Sequence, residues 1–107
     1  MLLEGGAKVE STNAYRRTAL HCAAYNGRLD LCRLLLDWGA KVDAVDVWED
    51  IPLHDAAKWG HFSVVKLLVE RGTDVRMKNG KGNTASDVAR IEGKNDVADW
   101  LDSISRG

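Results

Sequence analysis

His21 and His54 are the side chains best suited to chemistry in this chain, because imidazole ligates metals and transfers protons near neutral pH. A zinc site needs about four converging ligands, and no cysteine or carboxylate cluster is placed to join these two histidines. The plainer reading is that each imidazole hydrogen-bonds the backbone of a neighbouring loop and fixes its angle to the helices. His61, which follows Gly60, reads as local structure in the same way. Cys22 and Cys32 form no CxxC pair and have no base beside them, so both read as small apolar core residues rather than nucleophiles. Gly80-Lys81-Gly82 is too short for a phosphate cradle. The sequence holds no triad and no paired acids. No catalytic residue, cofactor site or metal site is expected, and the chain reads as a non-enzyme.

The histidines belong to a repeat. Thr18-Ala19-Leu20-His21 is followed 33 residues later by Ile51-Pro52-Leu53-His54, and after the same interval by the altered Thr84-Ala85-Ser86-Asp87. Gly27, Gly60 and Gly93 keep this period, as do Gly6, Gly39 and Gly72. Residues 11–43 and 44–76 align with nine identities: Leu20/Leu53, His21/His54, Ala23/Ala56, Ala24/Ala57, Gly27/Gly60, Leu34/Leu67, Leu35/Leu68, Gly39/Gly72 and Val42/Val75. A fixed period of this size marks one supersecondary unit that buries its apolar face only by stacking on its neighbours.

Each unit predicts two short helices and a turn. Thr18 caps a first helix running to about Asn26, Gly27 supplies the turn, and a second helix runs from Leu29 to about Trp38, stopping at Gly39. Leu31, Cys32, Leu34, Leu35 and Leu36 give the second helix its expected buried face. The small Ala23-Ala24 pair allows close approach of helices. Polar stretches at 41–50 and 74–83, with Asp46, Asn79, Gly80 and Gly82 as turn formers, read as hairpin-like fingers.

Composition narrows the function classes. The 107 residues carry a formal net charge of -1 with acids and bases interspersed, which lacks the basic excess of a nucleic-acid binder. No apolar run approaches the ~20 residues that span a bilayer, and the N-terminus lacks the pattern of a signal peptide. The chain is expected to be intracellular, in the cytoplasm or nucleus, without membrane or nucleic-acid partners and with both thiols reduced.

Thr18-Ala19-Leu20-His21 with Ala23-Ala24, then Asn26-Gly27, then Leu35-Leu36 followed by Gly39-Ala40 and Val42-Asp43, resembles the repeat of the ankyrin family. The resemblance covers residues 2 to about 103. It implies an all-α solenoid of stacked helix-turn-helix units with projecting fingers and an inner surface that binds other proteins. On this frame residues 1–107 form a single domain: 1–10 the tail of a truncated repeat, 11–43 and 44–76 full repeats, and 77–107 a C-terminal capping repeat. Trp100 aligns with Leu34 and Leu67 and is expected in the core. The family places glycine in the finger where this chain has Arg16 and Glu49, so the first two finger tips are expected to be distorted, and only Gly82 conforms. Ser86 and Asp87 in the last unit suit a closed end, whereas the missing first helix before Gly6 leaves an apolar layer uncovered, the mark either of a fragment of a longer array or of a face that meets another copy of the chain as a homo-oligomer.

Tyr15 and Trp48 occupy equivalent finger positions, while Tyr25 and Trp59 fall late in the first helices of successive repeats. By resemblance these positions face the inner groove. They serve either as recognition anchors, a role in which Tyr and Trp excel, or as packing that replaces the missing finger glycines. Charges alternate along the fingers: Arg16 and Arg17, then Asp46, Glu49 and Asp50, then Lys78 and Lys81. They read either as solvation or as a pattern that orients a bound peptide. The expected partner site is Tyr15, Arg17, Tyr25, Trp48, Asp50, Lys58 and Trp59, with the charged members as rim. A narrower alternative sets Trp48, Glu49 and Trp59 as an aromatic box for a methylated lysine of a histone tail.

Overall fold

A computed structural model describes residues 12–105. Six helices follow in order: α1 (Ala19–Tyr25), α2 (Leu29–Asp37), α3 (Pro52–Lys58), α4 (Phe62–Glu70), α5 (Ala85–Ile91) and α6 (Asn95–Ser105). The described residues contain no strand beyond one isolated antiparallel bridge, Thr12 to Thr18. The all-α repeat architecture read from the sequence is the one observed. The expected truncated repeat at residues 1–10 lies outside the described residues.

Local chemistry sets each boundary. Thr18 takes an extended backbone and its hydroxyl accepts the His21 N–H at 3.2 Å, while Thr84 does the same for Asp87. Pro52 opens α3, where its missing N–H costs nothing. Gly27 turns the first helix pair with φ +69°, and a Cβ there would also lie 2.5 Å from the ring of His61 in the next unit. The position needs glycine both for its left-handed backbone and for the approach of the following layer.

Helices α1, α3 and α5 stack side by side as an inner row, each packed on its partner α2, α4 or α6. Small residues make this possible: Ala23, Ala24, Ala56, Ala57 and Ala89 are all essentially buried. Leu20, Leu35, Leu53, Leu68 and Leu101 repeat through one continuous core along a molecule of 39 × 24 × 22 Å. Three placements differ from expectation. Cys22 is exposed, because the fourth position of α1 points away from the core, whereas Cys32 is buried. Leu34 is exposed although Leu67, at the equivalent site on α4, which packs against α2, is buried. Trp100 is only half-buried, lying edge-on to Phe62 with centroids 5.6 Å apart at the margin of the core.

The last helix pair satisfies its own polar substitutions. Ser86, at the place of Leu20 and Leu53, donates to the Ala98 carbonyl at 3.3 Å and to Asp102. Arg90 pairs with Asp102 at 2.7 Å and with Asp99 at 3.3 Å. Asp87 keeps half of the histidine's role by accepting the Thr84 N–H at 3.1 Å. No helix among the described residues is long and apolar enough to cross a membrane.

Candidate interaction groove

Three fingers line one side of the molecule with the same tip. Asn13, Asp46 and Asn79 each accept two backbone N–H groups with Oδ1: those of Tyr15 and Arg17, of Trp48 and Asp50, and of Lys81 and Asn83, at 2.9 to 3.1 Å. A short amide or acid side chain therefore closes each turn. The expected distortion at Arg16 and Glu49 does not occur. Both take left-handed backbone, φ 60° and 62°, close to the φ 81° of Gly82. The side-chain bonds to the turn hold these two residues in a conformation that costs a non-glycine about 1 to 2 kcal/mol.

Adjacent fingers are joined in register. The Val47 N–H donates to the Tyr15 carbonyl at 3.0 Å, and one repeat on the Gly80 N–H donates to that of Trp48 at 2.9 Å. Side chains repeat the linkage with reversed polarity: Arg17 Nη1 donates to Asp46 Oδ2 at 2.7 Å, and Asn79 Nδ2 donates to Asp50 Oδ1 at 3.0 Å. Much of the charge alternation along the fingers is thus spent within the chain. Arg17 and Asp50, expected at a partner's rim, hold neighbouring fingers together.

The histidines fasten fingers to helices. His21 Nδ1 accepts the Thr18 N–H at 3.1 Å while Nε2 donates to the Asp50 carbonyl at 2.9 Å. His54 accepts from Ile51 at 3.0 Å and donates to the Met77 and Asn83 carbonyls at 3.1 Å. Burial pushes the His21 pKa below its ordinary value, in keeping with a neutral ring. His61 reaches back to the Tyr25 carbonyl at 3.0 Å and ties successive layers. Among the described residues no group of three His, Cys, Asp or Glu converges as metal ligands do, and burial raises the Cys32 thiol to about 11, far from a nucleophile's range.

The fingers and the inner helix row enclose an open groove of about 900 Å³. Tyr15, Arg17, Tyr25, Trp48, Asp50 and Lys58 all line it, six of the seven residues expected from the sequence. Trp59 stands one residue beyond α3, its ring 5.3 Å from Tyr25 in an edge-on pair. Tyr15 and Trp48 stack at 5.3 Å with planes 26° apart. Neighbouring-repeat packing and availability coexist, because the four rings remain 42 to 55 % exposed. Each tryptophan takes a tyrosine of the preceding repeat as its partner.

One groove residue escaped the sequence reading. Asp55 is on α3 at the place held by Cys22 one repeat earlier and Val88 one repeat later. Its Oδ2 accepts Arg17 Nη2 at 3.0 Å, so Arg17 bridges Asp46 and Asp55, with its guanidinium 5.8 Å from the Tyr25 ring centroid. Burial lifts the Asp55 pKa to about 7 against the downward pull of Arg17, and the nearby Asp50 and Asp46 charges add to the rise. The available signal was a carboxylate at a position where the sister repeats carry Cys and Val.

A family description of ankyrin repeats in three copies matches residues 1–79 of this chain. No curated protein matches it significantly.

Proposed function

Since this chain belongs to the ankyrin-repeat family, whose members are generally protein–protein interaction modules and typically not enzymes, we propose that it binds a partner protein through the finger-lined groove. The observation that carries this reading is the pair of half-exposed aromatic contacts, Tyr15 with Trp48 and Tyr25 with Trp59, on one side of the molecule. Aromatic side chains held rigid before binding lose little freedom when a partner covers them. Lys58, its ammonium 5.8 Å from the Trp59 centroid, supplies a positive charge beside that ring. The partner anchors are Tyr15, Tyr25, Trp48 and Trp59, and Arg17 and Asp50 act by holding the fingers that carry them.

Affinity capture with the wild type and with a Trp48→Ala/Trp59→Ala double variant tests the proposal. Proteins retained by the wild type and lost from the variant, with helicity unchanged, support it. Equal capture by both removes the aromatics from the site. For a captured partner, Trp59→Ala alone should weaken binding by about 2 kcal/mol in a calorimetric titration.

Self-association is a second reading, favoured by one observation. Leu34 is 43 % exposed where Leu67 is 3 % exposed, an apolar position suited to meeting another layer. Sedimentation that is independent of concentration would rule it out.

A further inference from the structure

The groove's charges do not balance where Arg17 enters. One guanidinium faces the fully buried Asp46 and the nearly buried Asp55, whose side chain is 8 % exposed, with the charge of Asp50 close by. Asp55 Oδ2 is held by Arg17, but Oδ1 accepts no hydrogen bond among the described residues. The two lysines lining the groove, Lys58 and Lys81, form no ion pair with these acids. Apolar side chains line the groove with this surplus: Tyr25, Trp48, Val88 and the exposed Ile91. A partly buried carboxylate with one oxygen open to the groove is stabilised by a second cation that brings hydrogen bonds, and aromatic walls favour the same kind of group through their ring faces.

Resting on the groove as the partner site, we propose that Asp55 receives an arginine or lysine side chain from an extended segment of the partner. The occupant shares the carboxylate with Arg17, takes the open Oδ1, and lays its aliphatic stem against the aromatic and aliphatic walls. Charge complementarity selects this occupant over an acidic or wholly apolar segment, which would leave Asp55 more deeply buried and still unmatched.

The test selects peptides from a randomised, phage-displayed dodecapeptide library on the folded chain at neutral pH. Selected peptides should carry a basic residue, and its replacement by citrulline or norleucine should weaken binding to the wild type about tenfold or more. The same replacement should matter little on Asp55→Asn, which keeps the shape and an acceptor for Arg17. Asp55→Cys, the residue found one repeat earlier, is the second neutral variant, and a thermal melt of each verifies folding. Peptides that need Trp48 and Trp59 but carry no basic residue, or whose basic residue contributes equally to both neutral variants, overturn the Asp55 proposal and leave the groove standing as the partner site. Peptides indifferent to Trp48→Ala/Trp59→Ala, or a library that yields no binder, overturn both.

Discussion

Asp55 and Arg17 show why side chains of one type differ in role along a repeat. Arg16 and Arg17 are neighbours in sequence, yet Arg17 is bound between two carboxylates and Arg16 is spent on a left-handed backbone position. Folding raises the Asp55 pKa from the ordinary carboxylate value of 3.8 to about 7, so the folded chain holds that proton more tightly than the unfolded one. The favourable contribution is full below the ordinary value and is lost as pH rises through about 7. The charged groups acting on Asp55 are Arg17, Asp50 and Asp46 from the fingers, and Lys58 on its own helix lines the same groove. Comparison with Asp55→Asn cancels most of their titration. The thermal midpoint of the wild type should rise relative to the variant as pH falls from about 8 to about 5, and a constant difference would show that Asp55 is not charged at the cost of the fold. The aromatic positions were legible from their period, but Asp55 was not, because only the three-dimensional stack reveals that Arg17 reaches across to it.

Helix pairs and fingers obey different rules, which explains what could be read at the scale of the element. Caps and turn glycines act within about one turn of chain, so Thr18, Gly27 and Thr84 fix helix boundaries that the sequence predicts closely. Finger conformation was misjudged because a missing glycine looked decisive, while the Asx side chains of Asn13 and Asp46 supply enough bonds to hold Arg16 and Glu49 at positive φ. Glu49→Gly should relieve that strain and raise stability by about 0.5 to 1 kcal/mol, part of the gain being offset by the unfolded chain's freedom. A lowered midpoint in chemical denaturation would mean that the tip is not strained. In the helices, Leu35 is 1 % exposed in the core between layers, and Leu35→Ala should cost about 2 to 5 kcal/mol by leaving a cavity. Near-unchanged thermal unfolding would contradict its place there. Leu34 was assigned to the same face and is not, since helical periodicity identifies an apolar stripe without saying which part of it a neighbouring layer covers.

Across the whole molecule, identical links repeated at each junction turn separate units into one surface. The bonds from Val47 to Tyr15 and from Gly80 to Trp48 set the spacing of the fingers, the two histidines set their angle, and the alanine row sets the distance between inner helices. The groove is what remains between these constraints, and a partner that enters it should slow exchange at the elements that form it. Hydrogen–deuterium exchange of the chain alone and bound to its captured partner reads this directly. The fingers and the inner helices α1 and α3 should gain protection on binding, with α2 and α4 little changed. Protection confined to α2 and α4, with the fingers exchanging as in the free chain, would contradict the groove as the partner site.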